Sequence, residues 1–163
     1  PPPSMVPPPP FSAHMAGGVL YPFSQMMELL VFDKFKNLEI LLAETGASWM
    51  TAGMSSYDLT YERYRSGFSI EYKKPPTEDL KEHAWFSFTD DRMAMKLSLL
   101  NPVIDKVMWG SAFPREFSPY PNSRAFLDDV FEEAPEAMRR KVLVENPCKF
   151  FRLDSDKALT ETP

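Results

Sequence analysis

Three short apolar runs, separated by segments with helical spacing, restrict the folds that this chain can adopt. The runs occupy residues 38–43, 84–88 and 107–109. Each is short and almost wholly apolar, as expected of a strand that is buried on both faces of a parallel sheet. Strands that alternate with helices favour right-handed βαβ units. The sequence therefore predicts an α/β fold built on three parallel strands.

The segments between and after these runs have the 3.6-residue periodicity of helices that pack on one face. We expect Ser24 to cap the first helix, Thr77 a short helix before the second strand, Asp90-Asp91 the helix after it, and Ser123 a later one. Asn146-Pro147 is expected to interrupt the last helix. The predicted helices cover residues 22–35, 47–64, 77–80, 91–100, 124–132 and 135–144.

Composition excludes several classes of function. The net charge of −5 argues against a non-specific nucleic-acid binder, which needs a basic face. No apolar run approaches the roughly 20 residues of a membrane-spanning helix. A single cysteine, Cys148, fits a reducing compartment, so we expect a cytoplasmic protein. With only His14 and His83, the chain lacks the histidines for a His-rich metal centre of its own.

The chain divides into a Pro-rich extended arm over residues 1–18, one folded unit over 19–154 and a polar tail over 155–163. Three parallel strands form a poor free-standing domain, because both edges of the sheet would be exposed. The pattern therefore indicates that the folded unit is part of a larger structure.

Polar residues follow two of the predicted strands directly, and the carboxyl ends of parallel strands are where such folds place chemistry. Glu44 follows the first strand, either as a metal ligand or general base, or as a carboxylate that caps the next helix. Gly110-Ser111-Ala112 follows the third, and Arg115 beyond it could bind a substrate carboxylate or form a loop ion pair. His83 precedes a strand and Cys148 lies in a helical segment, so we expect both to be structural.

The third strand and its loop resemble a known family. Residues 109–116, Trp-Gly-Ser-Ala-Phe-Pro-Arg-Glu, followed by Pro-Asn-Ser-Arg at 121–124, resemble the last-strand signature of the amidohydrolase-related family, in the branch that includes aminocarboxymuconate-semialdehyde decarboxylase. The Glu-Thr-Gly-Ala-Ser-Trp segment at 44–49 and the Asn-Pro-Cys-Lys-Phe-Phe-Arg-Leu segment at 146–153 are similar to two further motifs of that family. The resemblance extends over residues 19–154.

This resemblance implies the C-terminal part, about three βα units, of a TIM-type (β/α)8 barrel that another chain completes. The complementary chain would bring the missing strands with their metal-binding histidines, and most ligands of a divalent cation, zinc or similar. Where the family has a metal-binding Asp after Gly-Ser, this chain has Ala112. Glu44 is then the predicted catalytic residue and the metal ligand from this chain. We predict that the substrate contacts Ser111, Phe113, Arg115 and Trp49.

Three functional hypotheses follow from these expectations. In the first, the chain is a subunit of a split, metal-dependent enzyme that hydrolyses, hydrates or decarboxylates a small carbonyl or carboxylate substrate. In the second, it is a non-catalytic subunit that completes and stabilises a catalytic partner's barrel. In the third, it is an isolated fragment without a function of its own. Neither a nucleic acid nor a membrane is an expected partner.

Overall fold

A computed structural model of the chain describes residues 17–67, 72–98 and 102–154. Most of the predicted Pro-rich arm, the whole predicted tail and His14 lie outside these residues. Within the described residues, no helix is both long enough and apolar enough to cross a membrane.

The centre of the fold is a sheet of three parallel strands in the order β1-β2-β3, formed by Ile40–Leu42, Ala84–Phe88 and Val107–Trp109. Ile40 lies opposite Ala84, and Phe86 opposite Val107. The three predicted strands are confirmed, although the first is shorter than its apolar run. β2 is the central strand, and all five of its residues are buried, which explains why it carries no polar residue except Ser87.

Helices connect the strands and follow the last one. In chain order they are α1 Gly17–Glu28, α2 Val31–Lys34, α3 Met50–Tyr64, α4 Pro76–His83, α5 Arg92–Ser98, α6 Ser123–Val130, α7 Glu136–Arg140 and α8 Asn146–Phe151. Short 3-10 turns cover Arg65–Gly67 and Pro102–Lys106, and a π-helical turn, Lys141–Glu145, joins α7 to α8.

The main core lies on one face of the sheet. Ala84, Phe86 and Phe88 alternate along β2 and belong to the same buried cluster as Phe23 of α1 and Phe32 of α2. Trp85 points to the other face, where the ring of Phe150 in α8 contacts it at a centroid distance of 5.3 Å. The same cluster includes Met50 of α3, Met95 of α5 and Val130 of α6, so helices before, between and after the strands form the core on this face, while α8 packs over the start of β2 on the other.

The predicted helix over residues 22–35 is wrong as one continuous element. It begins earlier, at Gly17, includes Pro22, and breaks at Leu30, whose φ of 55° is left-handed. The break turns Phe32 into the core, where its ring stacks on His83. Ser24 is not an N-cap: it lies inside α1, and its hydroxyl is 2.5 Å from that of Tyr57.

Three other local predictions are also wrong. α4 begins at Pro76, so Thr77 is a helical residue, and its hydroxyl donates to Asp58 Oδ2 at 2.7 Å. α6 begins at Ser123, with Asn122 at the N-cap position. Asn146-Pro147 does not interrupt the last helix, because the π-helical turn runs directly into α8, which includes Pro147.

Candidate functional site

The carboxyl ends of the three strands meet at one end of the sheet, as parallel pairing requires. Glu44 lies two residues after β1, Thr89 directly after β2, and Ala112 three residues after β3. The two candidate positions that the sequence places after separate strands, Glu44 and Ala112, are thus brought to the same end of the fold. We call this region the carboxyl end of the sheet.

Glu44 is held in a specific and unfavourable conformation. Its φ is 58°, in the left-handed region that a residue with a Cβ rarely adopts. Its backbone N–H donates to Ser87 Oγ of β2 at 2.9 Å. Its carboxylate Oε2 accepts a hydrogen bond from Arg115 Nη1 at 2.5 Å. Glu44 therefore bridges β2 and the loop after β3 instead of capping α3.

Arg115 reaches Glu44 from a loop without regular structure. Its side chain is 62% exposed, whereas that of Glu44 is 30% exposed. The Arg115 backbone N–H donates to Ala112 O at 2.9 Å, which closes a tight turn. The guanidinium also lies over the Phe117 ring, 5.9 Å from its centroid. The ion pair is open to solvent on the Arg115 side, so an anion in solution can approach the guanidinium.

The start of this loop is fixed to β2. Gly110 N–H donates to Phe88 O at 2.9 Å, and Thr89 Oγ1 donates to Gly110 O at 2.8 Å. Ser111 Oγ accepts a bond from Phe113 N–H at 3.4 Å, so the serine hydroxyl is part of a local turn. Ala112 has a φ of 56°, left-handed like Glu44. The strand end thus keeps a strained backbone at a position whose side chain is only a methyl group.

Asp91 fixes the loop that carries Glu44. Its Oδ2 accepts hydrogen bonds from Ala47 N–H and Ser48 N–H, both at 2.8 Å, and its Oδ1 accepts one from Ala94 N–H at 2.9 Å. Gly46 has a φ of 72°, and a Cβ there would come within 3.0 Å of Asp91 Oδ2. Glycine is therefore required at this close approach. One carboxylate binds the β1–α3 loop and the start of α5 together.

The remaining predicted contacts differ in where they point. Phe113 is exposed and packs edge-on against Tyr120 at a centroid distance of 4.8 Å, beside Arg115 in the chain. Trp49 instead packs against Phe86 of the core, and its Nε1 donates to Gly46 O at 3.2 Å. Phe113 thus lies exposed on the loop after β3, while Trp49 packs between the core and the β1–α3 loop. A role of either ring in substrate binding stays a prediction.

Sequence reasoning missed the residues that hold this region together. Two of them, Ser87 and Thr89, bond to segments that are distant along the chain, and Asp91 does so through its Oδ2. No local sequence pattern predicts such contacts. The aspartate itself did carry a signal as the cap of the helix after β2, and that prediction is confirmed.

The carboxyl end of the sheet does not by itself form a cation site. Ala112 has no ligand atom, Asp91 is used by three backbone N–H groups, and Glu44 is paired with Arg115. Among the residues that the structure describes, the group of carboxylate and histidine ligand atoms close enough to share an ion lies elsewhere, on α4. A metal at this end would need ligands that the described residues do not provide.

Comparison with known proteins identifies the family. The sequence profile of the family described as amidohydrolase matches residues 13–153. No curated protein matches the sequence significantly.

Several solved structures share the fold. They include 5-carboxyvanillate decarboxylase from Sphingomonas paucimobilis, with 19% identity and a TM-score of 0.62. The enzyme of the same name from Novosphingobium aromaticivorans, complexed with manganese, gives 18% and 0.60. An amidohydrolase from Mycobacterium avium subsp. paratuberculosis gives 18% and 0.59. Each match covers 76% of this chain but only 36%, 35% and 30% of the other chain.

The small covered share of the solved structures agrees with the sheet topology of this chain, because three parallel βα units correspond to a part of a (β/α)8 barrel. The chain spans about a third of the length of the solved structures it matches. Since the family profile covers most of the sequence, this chain belongs to the amidohydrolase family, as the C-terminal strand signature predicts.

Proposed function

We propose that this chain is one part of a split amidohydrolase-type enzyme that acts on a small carbonyl or carboxylate substrate. Its three strands would be the sixth to eighth of the barrel, and a complementary amidohydrolase-like chain would provide the others. Two features support this proposal: β1 and β3 are each paired on one side only in the described sheet, and the match covers about a third of related barrels. The complementary chain would also bring most ligands of the divalent cation.

The observation that carries the proposal is the pairing of Glu44 with Arg115 at the carboxyl end of the sheet. A guanidinium in a planar fork binds a carboxylate through two parallel hydrogen bonds. A substrate carboxylate that binds Arg115 would therefore compete with Glu44 for it. Once released, the Glu44 carboxylate is free to take a proton from water or from the substrate. Because Ala112 cannot transfer a proton, Glu44 is the acid–base group that this chain offers.

The backbone supports the same assignment. Left-handed conformations of residues other than glycine require support from their surroundings and concentrate at functional sites. In the described part of the chain, two such residues, Glu44 and Ala112, follow strands β1 and β3 at the same end of the sheet. A purely structural loop would be served better by glycine or asparagine at these positions.

The metal of the proposed enzyme is a divalent cation, and the related decarboxylase from Novosphingobium aromaticivorans holds manganese. When bound, such an ion polarises a carboxylate or carbonyl oxygen or activates water. The residues of this chain do not form its site alone. We therefore assign the ion to ligands of the complementary chain, with Glu44 as the one ligand that this chain could add.

The test is turnover by the complex of this chain with its complementary chain. We would capture the tagged chain with its partner, measure bound metal, and follow loss of CO2 from 5-carboxyvanillate and 2,6-dihydroxybenzoate, substrates suggested by the related structures. E44Q should lower kcat by about 100-fold or more, as expected on loss of a general base. R115M should chiefly raise KM. The matched control is the exposed pair Arg139–Asp128, 2.6 Å apart: R139M and D128N should leave turnover unchanged.

The second candidate, a non-catalytic subunit that stabilises its partner's barrel, is favoured by Ala112, which provides neither a ligand nor an acid–base group. It predicts a different outcome of the same experiment. Under it, E44Q and R115M would leave turnover of the complex unchanged, whereas removal of the whole chain would lower the thermal stability of the partner. A complex without stoichiometric metal and without turnover would refute the enzymatic proposal.

A further inference from the structure

The opposite end of the sheet carries a second cluster of ionisable side chains. Asp79, Glu82 and His83 lie on the last turns of α4, directly before β2 begins. Their ligand atoms, one carboxylate oxygen from each acid and one imidazole nitrogen, all lie within 4.8 Å of one another. We propose that this cluster is a binding site for a divalent transition metal of the zinc class.

His83 is oriented as a metal ligand would be. It is only 4% exposed, and its Nδ1 is 2.8 Å from the carbonyl oxygen of Leu38. That contact requires Nδ1 to carry a proton, so in the neutral ring Nε2 presents its lone pair. Nε2 lies 3.6 Å from Glu82 Oε2 and 4.0 Å from Asp79 Oδ1. A histidine that ligates a metal commonly donates its other N–H to a backbone carbonyl in this manner.

The ring of His83 is also fixed in orientation. Phe32 stacks on it at a centroid distance of 4.5 Å and an interplanar angle of 15°. A ring held between a backbone carbonyl and an aromatic face retains little rotational freedom. Binding of a metal at Nε2 would therefore require little further ordering of this ligand.

Asp79 provides a buried carboxylate oxygen that is already paired with a cation. The residue is 9% exposed. The Lys74 ammonium lies 2.8 Å away as an ion-pair partner. Buried carboxylate oxygens are costly unless they are bonded or coordinated. Asp79 and His83 are four residues apart, so one helical face presents both ligand atoms to the same point.

Lys74 occupies the place that the metal would take. Its Nζ bonds Glu82 Oε2 at 2.5 Å as well as contacting Asp79. The cluster thus already selects positive charge, and a long flexible lysine can swing out when a divalent ion enters.

The ligand set points to zinc more than to magnesium or calcium. Imidazole with carboxylates suits zinc and its neighbours in the transition series, whereas the hard cations prefer oxygen alone. Zinc ligands at about 2.0–2.2 Å from the ion are roughly 3.3 Å apart in a tetrahedral shell. Asp79 Oδ1 and Glu82 Oε2, now 4.0 and 3.6 Å from His83 Nε2, would move closer to it as the lysine leaves.

This site is separate from the region around Glu44. The five residues of β2 lie between the two, and a strand of that length spans about 16 Å. The proposal therefore does not depend on the split-enzyme proposal, and metal binding can be measured on this chain without a partner.

The test is a zinc titration of the intact chain at neutral pH against a chromophoric chelator, with metal content measured after dialysis. One zinc per chain is expected, and X-ray absorption should show an imidazole nitrogen in its shell. E82Q removes an exposed ligand and should weaken binding by about tenfold or more, at least as much as loss of a supporting residue. E78Q, the same substitution on the exposed side of α4, is the matched control and should bind normally.

Three further variants complete the test. K74M removes the competing ammonium and should tighten zinc binding several-fold. E136Q, which changes an exposed carboxylate on α7, and H14Q should bind zinc as the unmodified chain does, because the proposed ligands are Asp79, Glu82 and His83. The proposal is overturned if E82Q binds zinc as tightly as E78Q, if H14Q abolishes binding, if K74M leaves the affinity unchanged, or if bound zinc stays well below one per chain.

Discussion

Ala112 is the residue at which local strain is most directly testable. Its φ of 56° places a Cβ-bearing residue in the left-handed region, where the conformation costs about 1–2 kcal/mol. Glycine adopts it freely but loses more chain entropy on folding. A112G should therefore raise the free energy of unfolding by about 1 kcal/mol, measured by urea denaturation.

The same substitution elsewhere gives the control with the opposite sign. Ala125 is exposed and lies in the first turn of α6, where glycine lowers stability by up to about 1 kcal/mol. If A112G and A125G destabilised the chain equally, Ala112 would not have a left-handed backbone.

At the residue scale, the sequence predicts positions better than partners. Glu44 and Ala112 could be placed at the carboxyl end of the sheet because each directly follows an apolar run. The ion pair of Glu44 with Arg115 could not, because 71 residues separate the two and either residue alone had several ordinary roles. Leu30 was missed for a related reason: its left-handed turn is set by the burial of Phe32 and not by its own side chain.

At the scale of elements, Asp91 joins the loop after β1 to the start of α5. Its carboxylate accepts three backbone N–H bonds, and bonds to a charged group are stronger than neutral ones. D91A should lower the free energy of unfolding by about 3 kcal/mol. Its neighbour is the matched control: Asp90 is exposed and is 3.6 Å from Arg92, so D90A should cost less than about 1 kcal/mol. Equal losses in both variants would refute the bracing role of Asp91.

At the amino ends of the strands, Glu39 connects all three. It precedes β1, accepts a bond from Trp85 Nε1 of β2 at 2.7 Å, and accepts one from Lys106 Nζ, directly before β3, at 2.9 Å. Burial acts to raise the Glu39 pKa, but these bonds and the charges of Lys106 and Lys149 outweigh it and lower the pKa below 4.5.

This lowered pKa makes part of the stability dependent on pH. A carboxyl group with a folded pKa below its unfolded value stabilises the fold above about pH 4.5, and the contribution is lost as pH falls through the folded pKa. E39Q should therefore flatten the decline of stability between about pH 5 and pH 3, measured as urea midpoints. W85F removes one of the two bonds and should flatten it partly. A curve unchanged in E39Q would contradict the assignment.

The strands were predictable because a short run of aromatic and apolar residues, such as that of β2, favours a buried strand over a helix. The helix that includes Asn146-Pro147 was less predictable from the sequence. Asn146 looked like a helix stop before proline, yet it is buried and donates to the carbonyl oxygens of Ile104 and Val107 at 2.8 and 2.6 Å. These hydrogen bonds and the π-helical turn allow the helix to continue past Asn146-Pro147. Neither the hydrogen bonds nor the π-helical turn can be predicted from the local sequence.

At the scale of the whole molecule, the fold is a section of a barrel. A closed barrel has no edge strands, whereas a three-stranded section has two. In the described sheet β2 is paired on both sides and β1 and β3 on one side each. The sequence resemblance predicted such a section, because motifs at strand ends keep their order along the chain. The assignment of these strands as the sixth to eighth, and completion by another chain, stay predictions.

Hydrogen exchange should report the unpaired edges directly. Amides that are bonded on both sides of a central strand open only with the whole sheet, while those of edge strands open locally. In the chain alone, amides of Ile40–Leu42 and Val107–Trp109 should therefore exchange faster than those of Ala84–Phe88. In the captured complex with a complementary chain, the edge strands should slow to the rate of β2. Equal protection of all three strands in the chain alone, with no change in the complex, would show that the sheet does not need completion.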